Sequence, residues 1–241
     1  MTKDQFIISK DAQATAEAFG DYLMAEAAKK EQFHVALSGG STPKILFDYL
    51  AENYADAAQW QKMHFYWGDE RMVPPTDGDS NYKMTKDRLF DKVPVPAENI
   101  HRILGEEDPA DEAVRYGSLL TQQMNVVNGL PVFDMVILGM GGDGHTASIF
   151  PHEIELLQSS NVCDVATHPE SGQIRVTLSG PVINAASEVV FLVTGSGKQE
   201  KIDEIYHQKG GWESYPASFI KPTDGKLQWY VDEAAVAEVF K

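Results

Sequence analysis

The segment of residues 133–151, FDMVILGMGGDGHTASIFP, places a carboxylate and an imidazole in a glycine-rich turn. Its apolar run Met135–Leu138 is typical of a strand buried on both faces, and glycines then surround Asp143 before His145. An imidazole has an ordinary pKa of about 6.5, so His145 can accept a proton near neutral pH, and a neighbouring carboxylate can fix its tautomer. Open α/β sheets carry chemistry at the carboxyl ends of their strands. We therefore predict that Asp143 and His145 are catalytic; the alternative is a surface histidine in a glycine turn.

The same turn also matches a dinucleotide-binding pattern. Residues 139–144 read GMGGDG, which satisfies G-x-G-x-x-G, and Asp164 lies 20 residues beyond Gly144. The third glycine of that pattern should open a helix, but Pro151 follows seven residues later and would interrupt it. The titratable His145 also stands where the first helical turn should pack. We therefore expect no nicotinamide cofactor here.

Residues 38–42, SGGST, have the composition of a phosphate-binding turn. They lie between an apolar strand at residues 34–37 and a helix predicted over residues 44–53. Glycines allow backbone N–H groups to converge, the helix dipole adds partial positive charge, and the hydroxyls supply further donors. The turn lacks the lysine and the spacing of a P-loop. We predict an anion-binding turn, the alternative being an ordinary strand–helix turn with a Ser or Thr cap. Its residues are Ser38, Gly39, Gly40, Ser41 and Thr42.

Three basic side chains and a further carboxylate complete the candidate site. Asp69 and Arg71 follow a predicted strand, Arg175 lies within another, and Lys198 comes after a Gly-Ser-Gly turn. An arginine can fork onto a phosphate or a carboxylate, and Asp69 can hold a water molecule or an imidazole. The alternatives are a structural ion pair within residues 68–71, and solvated charges at Arg175 and Lys198.

No metal site is predicted. The histidines other than His145 show no spacing typical of metal ligands. Cys163 is the only cysteine, which excludes an internal disulfide and a thiolate metal site. It follows Val162 in an apolar stretch, and this favours a packed thiol over a nucleophile.

Charge and hydropathy argue against several classes of partner. The chain has 20 Lys and Arg against 36 Asp and Glu, a formal net charge of −16. Nucleic acids and anionic membranes are bound mainly through Lys and Arg, so such a surface repels both. No run approaches the roughly 18 apolar residues of a membrane helix, and residues 1–11 lack the apolar core of a signal peptide. We expect a cytoplasmic protein that binds neither nucleic acid nor membrane; its oligomeric state is left open.

Strand-like and helix-like segments alternate from end to end. Strands are predicted at residues 6–9, 34–37, 63–67, 100–104, 133–139, 162–166, 174–178, 189–194 and 227–231, and helices at residues 11–30, 44–53, 81–90, 109–127, 181–186, 198–208 and 232–240. Several strands are apolar throughout. This pattern predicts an α/β fold with a single doubly wound, largely parallel sheet, helices on both faces and right-handed crossovers. We see no linker and expect one domain over residues 1–241.

In their order along the chain, these motifs resemble those of the 6-phosphogluconolactonases. They are VALSGGSTP, WGDER, FDMVILGMGGDGHTASIFP, IRVTLSGPVIN and FLVTGSGK, and they cover most of the chain. The resemblance implies a Rossmann-like fold of the sugar-phosphate isomerase/deaminase type. The broader superfamily includes glucosamine-6-phosphate deaminases, in which DGH is followed by Phe-Asn-Glu-Pro and the glutamate helps to move protons. Phe150 stands at that glutamate's position here, and a phenylalanine cannot transfer protons, so the lactonases are the closer match.

The resemblance implies hydrolysis of 6-phospho-D-glucono-1,5-lactone to 6-phospho-D-gluconate in the oxidative pentose phosphate pathway, without a metal or an organic cofactor. We interpret His145 as the general base that activates water, Asp143 as the group that orients its imidazole, and Asp69 as the group that positions the water or the sugar hydroxyls. The phosphate is assigned to the turn at residues 38–42 together with Arg71, Arg175 and Lys198.

Two other functions remain as alternatives at this point. One is a deaminase-like enzyme, and the other is a sugar-phosphate-binding regulator without turnover. The net charge of −16 argues against a DNA-binding regulator, and the retained Asp143 and His145 argue against an inactive enzyme. One departure from the lactonase pattern is residues 168–173, HPESGQ, which lack a lysine typical of many family members.

Overall fold

The computed structural model describes residues 1–240, and its helices and strands alternate along the chain. The strands in this part of the chain are β1 (Phe6–Ser9), β2 (Phe33–Leu37), β3 (Met63–Trp67), β4 (Asp69–Arg71), β5 (Val126–Val127), β6 (Leu130–Pro131), β7 (Met135–Leu138), β8 (Cys163–Thr167), β9 (Ile174–Leu178), β10 (Glu188–Val193) and β11 (Lys226–Asp232). The α-helices are α1 (Ala12–Ala28), α2 (Ser41–Asn53), α3 (Asn81–Thr85), α4 (Pro109–Gln123), α5 (Gly180–Ala185), α6 (Gln199–His207) and α7 (Glu233–Val236). Short 3₁₀ segments join several of them, including Pro151–Gln158 and Ser196–Lys198.

Six strands form a parallel central sheet in the order β1-β11-β10-β7-β2-β3. Every residue of β7 and β10 is buried, as expected for strands that are covered on both faces. Parallel strands need crossover connections, and these place all six carboxyl ends at one edge of the sheet. The predicted doubly wound, largely parallel α/β fold is confirmed.

A separate antiparallel sheet, in the order β4-β9-β8, stands beside the central one. The chain leaves β3 at Trp67, passes through Gly68 and enters β4 at once, while the Leu178 amide donates to the Gly68 carbonyl at 2.8 Å. The strands predicted near residues 162–166 and 174–178 therefore form, but outside the central sheet. This junction brings Arg175 against the carboxyl end of β3.

Several predicted element boundaries differ in the structure; the helices predicted over residues 81–90 and 232–240, for example, are shorter, with α3 ending at Thr85 and α7 spanning Glu233–Val236. Residues 100–104 form no strand beyond an isolated bridge between Phe65 and Ile100. The helix predicted over residues 109–127 ends at Gln123, because Asn128 and Gly129 adopt positive φ angles and close the β5–β6 hairpin. Helix α2 begins at Ser41 rather than at residue 44, so the SGGST segment includes the first helical residues.

Large aromatic side chains fill the core of the central sheet. Phe191 on β10 stacks on Trp229 of β11 with ring centroids 3.9 Å apart, and both side chains are fully buried. Large aromatic side chains contribute much of the apolar area that a core buries, and so much of its stability. Within residues 1–240, no helix has both the length and the apolar character needed to cross a membrane.

Three histidines stack at the amino ends of β2 and β3, opposite the edge where the strands end. His34 and His64 lie 4.9 Å apart between ring centroids, and His64 and His101 lie 5.6 Å apart. Burial lowers the pKa of all three imidazoles, and that of His101 falls to about 4. The members of this histidine stack are therefore neutral packing groups near neutral pH.

Candidate active site

A cavity of about 260 Å³ lies where the carboxyl ends of β2, β3, β7 and β10 meet the antiparallel sheet. Its lining residues are Ser38, Gly39, Gly40, Asp69, Arg71, Asn81, Gly139, Met140, Gly141, His145, Ala147, Arg175 and Lys198. Eight of the eleven predicted site residues are among them, and the other three, Ser41, Thr42 and Asp143, follow or precede them closely in the chain. A larger open groove between α4 and β8, about 490 Å³, is lined mostly by small and apolar side chains. We call the first one the site cavity.

The glycine turn (residues 139–145) pairs Asp143 with His145. The His145 Nδ1 atom lies 2.6 Å from Asp143 Oδ1, and the His145 backbone N–H donates to the same oxygen at 3.1 Å. Burial acts to raise the pKa of Asp143, but the hydrogen bond and charge of His145 prevail and lower that pKa to about 2. Asp143 is therefore ionised at neutral pH and can only accept, so Nδ1 carries the proton. This leaves a lone pair on Nε2 of His145.

The glycines of this turn are needed for close approach. A Cβ atom at Gly141 would lie 2.2 Å from His145 Nδ1 and 2.5 Å from Asp143 Oδ1, so no side chain fits there. Gly144 has a φ of 85°, in the left-handed region, and a Cβ atom there would lie 2.5 Å from the Tyr215 side chain. The chain then forms no helix until Pro151, unlike a dinucleotide-binding turn. The glycine pattern therefore serves the Asp143–His145 contact.

The anion turn (residues 38–42) is formed by the start of α2. Gly40 precedes the helix with a φ of 113°, and no side chain caps the first turn, so the N–H groups of Ser41 and Thr42 receive no capping side-chain oxygen. The side chain of Thr42 is used elsewhere, because its hydroxyl bonds to that of Thr194 at 2.8 Å. Thr42 thereby ties the anion turn to the end of β10, while Ser41 is exposed.

The opposite wall joins Asp69, Ser148 and Arg175. The Ser148 hydroxyl donates to Asp69 Oδ2 at 2.7 Å and accepts from Arg175 Nη1 at 3.3 Å. Arg175 Nη1 itself stays 3.8 Å from Asp69 Oδ2. The Arg175 guanidinium also lies 5.5 Å from the centre of the Phe150 ring, which contacts the aromatic ring of His145 on another side. A carboxylate and a guanidinium thus face the same cavity.

Three cations converge on the site cavity despite the acidic composition of the chain. The Nε atoms of Arg71 and Arg175 are buried donors with no hydrogen-bond partner among residues 1–240. Burial lowers the pKa of Arg175 and of Lys198, and the charge of Asp143 acts in the opposite direction on Lys198. Guanidinium groups stay charged under all ordinary conditions. One buried and two half-buried cations, two of them with an unused Nε donor, suit an anionic ligand.

Sequence reasoning missed two residues that organise this wall. Glu70 is buried and accepts hydrogen bonds from the backbone N–H groups of Arg71, Asn81 and Tyr82, each at 2.8 Å, and from the Ser80 hydroxyl at 3.0 Å. It therefore fixes the start of α3. Asn81, held in this way, donates from Nδ2 to the Asp69 carbonyl at 3.0 Å and lines the site cavity.

Asn81 packs closely against Gly39 of the anion turn. A Cβ atom at Gly39 would lie 2.0 Å from Asn81 Oδ1, so this glycine is required by a side chain 42 residues further along the chain. Ser80 directly precedes α3 and caps it, since its hydroxyl accepts a hydrogen bond from the Lys83 amide at 3.1 Å.

No metal centre is indicated in the part of the chain that the structure describes. No group of three or more His, Cys, Asp or Glu side chains there is arranged to hold an ion. Cys163 is buried, and burial raises the pKa of its thiol well above the ordinary value, as expected for a packed residue.

Comparisons with known proteins agree on one family. The family described as glucosamine-6-phosphate isomerases/6-phosphogluconolactonase matches residues 9–229. A 6-phosphogluconolactonase of Haemophilus influenzae is 47% identical over 204 residues, 84% of this chain and 86% of that protein. One of Aggregatibacter actinomycetemcomitans is 42% identical over 231 residues, 95% of this chain and 97% of its own length. The solved structure of the 6-phosphogluconolactonase of Trypanosoma brucei superposes with a TM-score of 0.87 at 27% identity, covering 98% of each chain. The chain therefore belongs to the glucosamine-6-phosphate isomerase/6-phosphogluconolactonase family.

Proposed function

We propose that this protein hydrolyses 6-phospho-D-glucono-1,5-lactone to 6-phospho-D-gluconate, the lactone-opening step of the oxidative pentose phosphate pathway. The observation that carries the proposal is the contact of His145 Nδ1 with Asp143 Oδ1 at 2.6 Å, beside a cavity whose lining includes three basic side chains. Relatives named 6-phosphogluconolactonase that are more than 40% identical support the same substrate.

His145 acts as the general base in this proposal. Nε2 takes a proton from a water molecule as the water oxygen forms a bond to lactone C1, and the carbonyl becomes a tetrahedral oxyanion. When the intermediate collapses, the bond between C1 and the ring oxygen breaks and the ring oxygen receives the proton from Nε2. Asp143 keeps the proton on Nδ1 throughout and stabilises the imidazolium that forms. No covalent intermediate is needed, since such lactones already hydrolyse slowly in water.

The cations and the anion turn hold the phosphate. Arg71 and Arg175 are cross-strand neighbours on β4 and β9, and Lys198, which follows β10, lines the same cavity. The first turn of α2 contributes N–H groups and the positive end of its dipole. The chain carries a net charge of −16, so a dianionic substrate must be captured by local cations against the overall field. The burial of Arg175 and the half-burial of Arg71 and Lys198 strengthen these contacts, because water screens buried charges less.

Asp69 serves as an acceptor for the substrate. One of its oxygens, Oδ2, is occupied by Ser148, and its backbone carbonyl accepts from Asn81. The side chain is therefore fixed, and the remaining oxygen, Oδ1, is available to a sugar hydroxyl. A fixed acceptor contributes by orienting the reactants rather than by transferring a proton.

Phe150 argues against the deaminase alternative. Its ring is fully buried, with its centre 4.8 Å from that of His145, where a deaminase-like enzyme needs a carboxylate to move protons. An apolar ring beside the base also limits the access of bulk water. A lactonase requires only one base and one water, and both can be accommodated here.

A cytoplasmic location and a substrate restricted to small sugar phosphates are part of the same proposal. The single cysteine is typical of a reducing compartment, and the acidic surface disfavours nucleic-acid and membrane partners. Both are expectations from composition.

A coupled lactone assay tests the proposal. Glucose-6-phosphate dehydrogenase generates the δ-lactone, and the disappearance of the lactone is followed with and without this protein. We expect the wild-type protein to exceed the spontaneous rate, and His145→Ala to lower kcat by about 10²–10⁴-fold, the usual contribution of a general base. His207→Ala is the matched control, because His207, the last residue of α6, lies away from the site cavity and its Nε2 atom is 2.9 Å from the Val239 carbonyl oxygen.

Two results would count against the proposal. If the wild-type protein does not accelerate lactone loss, the function itself is wrong. If His145→Ala keeps near-normal kcat, the role of His145 is wrong although the activity stands. Calorimetry with 6-phosphogluconate shows in parallel whether the variant still binds a phosphorylated ligand.

A further inference from the structure

Ser148 lies between the two charged groups of the cavity wall and has no role in the chemistry above. Its side chain is fully buried. Its hydroxyl uses both functions at once, donating to Asp69 Oδ2 at 2.7 Å and accepting from Arg175 Nη1 at 3.3 Å. A buried hydroxyl that bridges a carboxylate and a guanidinium is unusual, because the two ions would normally contact each other directly.

The backbone that places Ser148 here is strained. Ala147, which precedes it, has a φ of 47° in the left-handed region that alanine seldom adopts. Thr146 and Ile149 close this tight loop, with the Ile149 amide donating to the Thr146 carbonyl at 2.9 Å. The Ser148 amide donates to the Thr177 hydroxyl of β9 at 3.2 Å. Such strain persists only where the surroundings over-determine it, and it concentrates at functional sites.

We propose that Ser148 is a positioning residue that keeps Asp69 and Arg175 from forming a direct ion pair, and so leaves both available to the substrate. The inference rests on the proposed lactonase function. The separation of 3.8 Å between Arg175 Nη1 and Asp69 Oδ2 is about 1 Å longer than a charge-assisted hydrogen bond. With the hydroxyl in place, Asp69 Oδ1 has no hydrogen-bond partner among residues 1–240, and neither does Arg175 Nε.

Removal of the Ser148 hydroxyl allows the Arg175 guanidinium and the Asp69 carboxylate to bond to each other directly. The guanidinium then forks onto the carboxylate, since planar bidentate pairing is its preferred geometry. The substrate loses a cation for its phosphate and an acceptor for its hydroxyl in the same event. His145 and Asp143 lie on another wall and keep their contact. Binding of the phosphorylated ligand should therefore weaken, while kcat changes little.

The test is a double-mutant cycle on ligand binding. The dissociation constant of 6-phosphogluconate is measured by calorimetry for the wild-type protein, Ser148→Ala, Asp69→Asn and the double variant, alongside KM and kcat for the lactone. We expect Ser148→Ala to weaken binding and raise KM about tenfold, the size of a lost charge-assisted hydrogen bond, with kcat within about threefold. In the Asp69→Asn background the same change should weaken binding less than about twofold, because no carboxylate remains for Arg175 to pair with.

Ser179→Ala is the matched control. Ser179 is another fully buried serine, at the end of β9, and its hydroxyl donates to the Asn161 carbonyl at 2.6 Å. The Ser179→Ala variant loses one buried hydrogen bond that involves no lining residue of the site cavity. Its dissociation constant for 6-phosphogluconate should therefore equal that of the wild type. If Ser148→Ala proves unfolded at the assay temperature, Ser148→Cys replaces it, since a thiol keeps the volume but bonds weakly.

Each outcome decides the inference. An unchanged dissociation constant in Ser148→Ala overturns it, and so does a loss of equal size in both backgrounds, which indicates a purely structural role. In either case wild-type lactonase activity leaves the proposed function intact. Absence of activity in the wild-type protein overturns the proposed function itself.

Discussion

The two acidic groups that serve the site cavity are held in place by different means. Asp143 contacts a histidine two residues away, and the contact depends on the glycine turn alone. Asp69 contacts Ser148, 79 residues further along the chain, which in turn contacts Arg175 after another 27 residues. The proposed proton-transfer pair is thus local, whereas the wall proposed to hold the substrate is assembled from distant segments. We therefore expect substitutions in the glycine turn to lower kcat, and substitutions in the wall to raise KM or to lower stability.

The largest effect is expected from Gly141→Ala. The new Cβ atom would stand 2.2 Å from His145 Nδ1, so the imidazole must move away from Asp143 and the base loses its orientation. We expect kcat to fall by about 10²–10⁴-fold, close to the loss in His145→Ala. Gly142→Ala is the control, because a Cβ atom at Gly142 has no neighbour within 4 Å. Equal activity in the two alanine variants would contradict the geometry of the turn.

Asp143→Asn should produce a slightly smaller loss in the same region. An amide can donate to Nδ1, which favours the tautomer with the proton on Nε2 and removes the lone pair that takes the proton from water. We expect kcat to fall by about 10²-fold with KM within about threefold. Nitrogen NMR of labelled histidine should show the change of tautomer. Retention of the wild-type tautomer together with low kcat would mean that Asp143 acts by charge alone.

Lys198→Ala tests whether loss of a proposed phosphate contact raises KM without lowering kcat. Lys198 lines the site cavity but forms no hydrogen bond to His145, so its loss should leave the base intact. We expect KM for the phosphorylated lactone to rise about tenfold, as for one lost charge contact, with kcat within about threefold. Lys29→Ala, which removes an exposed ion pair with Glu26, is the control. A KM equal to that of the control would remove Lys198 from the phosphate site.

Glu70→Gln should have the smallest effect on turnover and a clear effect on stability. The buried carboxylate accepts four hydrogen bonds, and an amide must turn one donor towards another donor. We expect the free energy of unfolding to fall by about 1–3 kcal/mol, and KM to rise modestly because Asn81 is less well held.

Glu106→Gln is the comparison for that prediction. Glu106 pairs with Arg102 in a partly exposed ion pair, so its loss should cost at most about 1 kcal/mol in urea unfolding. If the Glu70 and Glu106 variants unfold at the same urea concentration, Glu70 is not the anchor of α3 that its contacts indicate.

The parts of the structure that the sequence predicted are those encoded by neighbouring residues. The alternation of apolar strands with helices indicated the central sheet, and the glycines around Asp143 indicated a turn that presents His145. Both signals lie within a few residues, where local backbone geometry decides the outcome. The convergence of the turns followed from the rule that parallel strands end at one edge.

The parts that could not be predicted depend on distant contacts. Strand β4 has only three residues and shows no periodicity, so nothing in the sequence indicated that the strands predicted at residues 162–166 and 174–178 belong to a second sheet. Ser148 and Asn81 acquire their positions from partners on other strands, and their residue types are equally common in ordinary loops and caps. Thr42 was predicted as a phosphate contact, but it does not line the site cavity and its hydroxyl bonds to that of Thr194, a partner that only the packed structure supplies.

The histidine stack at the far edge of the sheet makes proton uptake part of unfolding. His34, His64 and His101 have lowered pKa values in the folded protein because they are buried, although Asp134 partly offsets this at His34. An unfolded chain binds protons at these imidazoles from about pH 6.5 downward, whereas folded His101 does so only near pH 4. The contribution of these neutral histidines to the free energy of unfolding is therefore fully present above pH 6.5 and is lost as the pH falls towards 4. A lactonase whose product is an acid would thus become less stable in a poorly buffered medium that its own reaction acidifies.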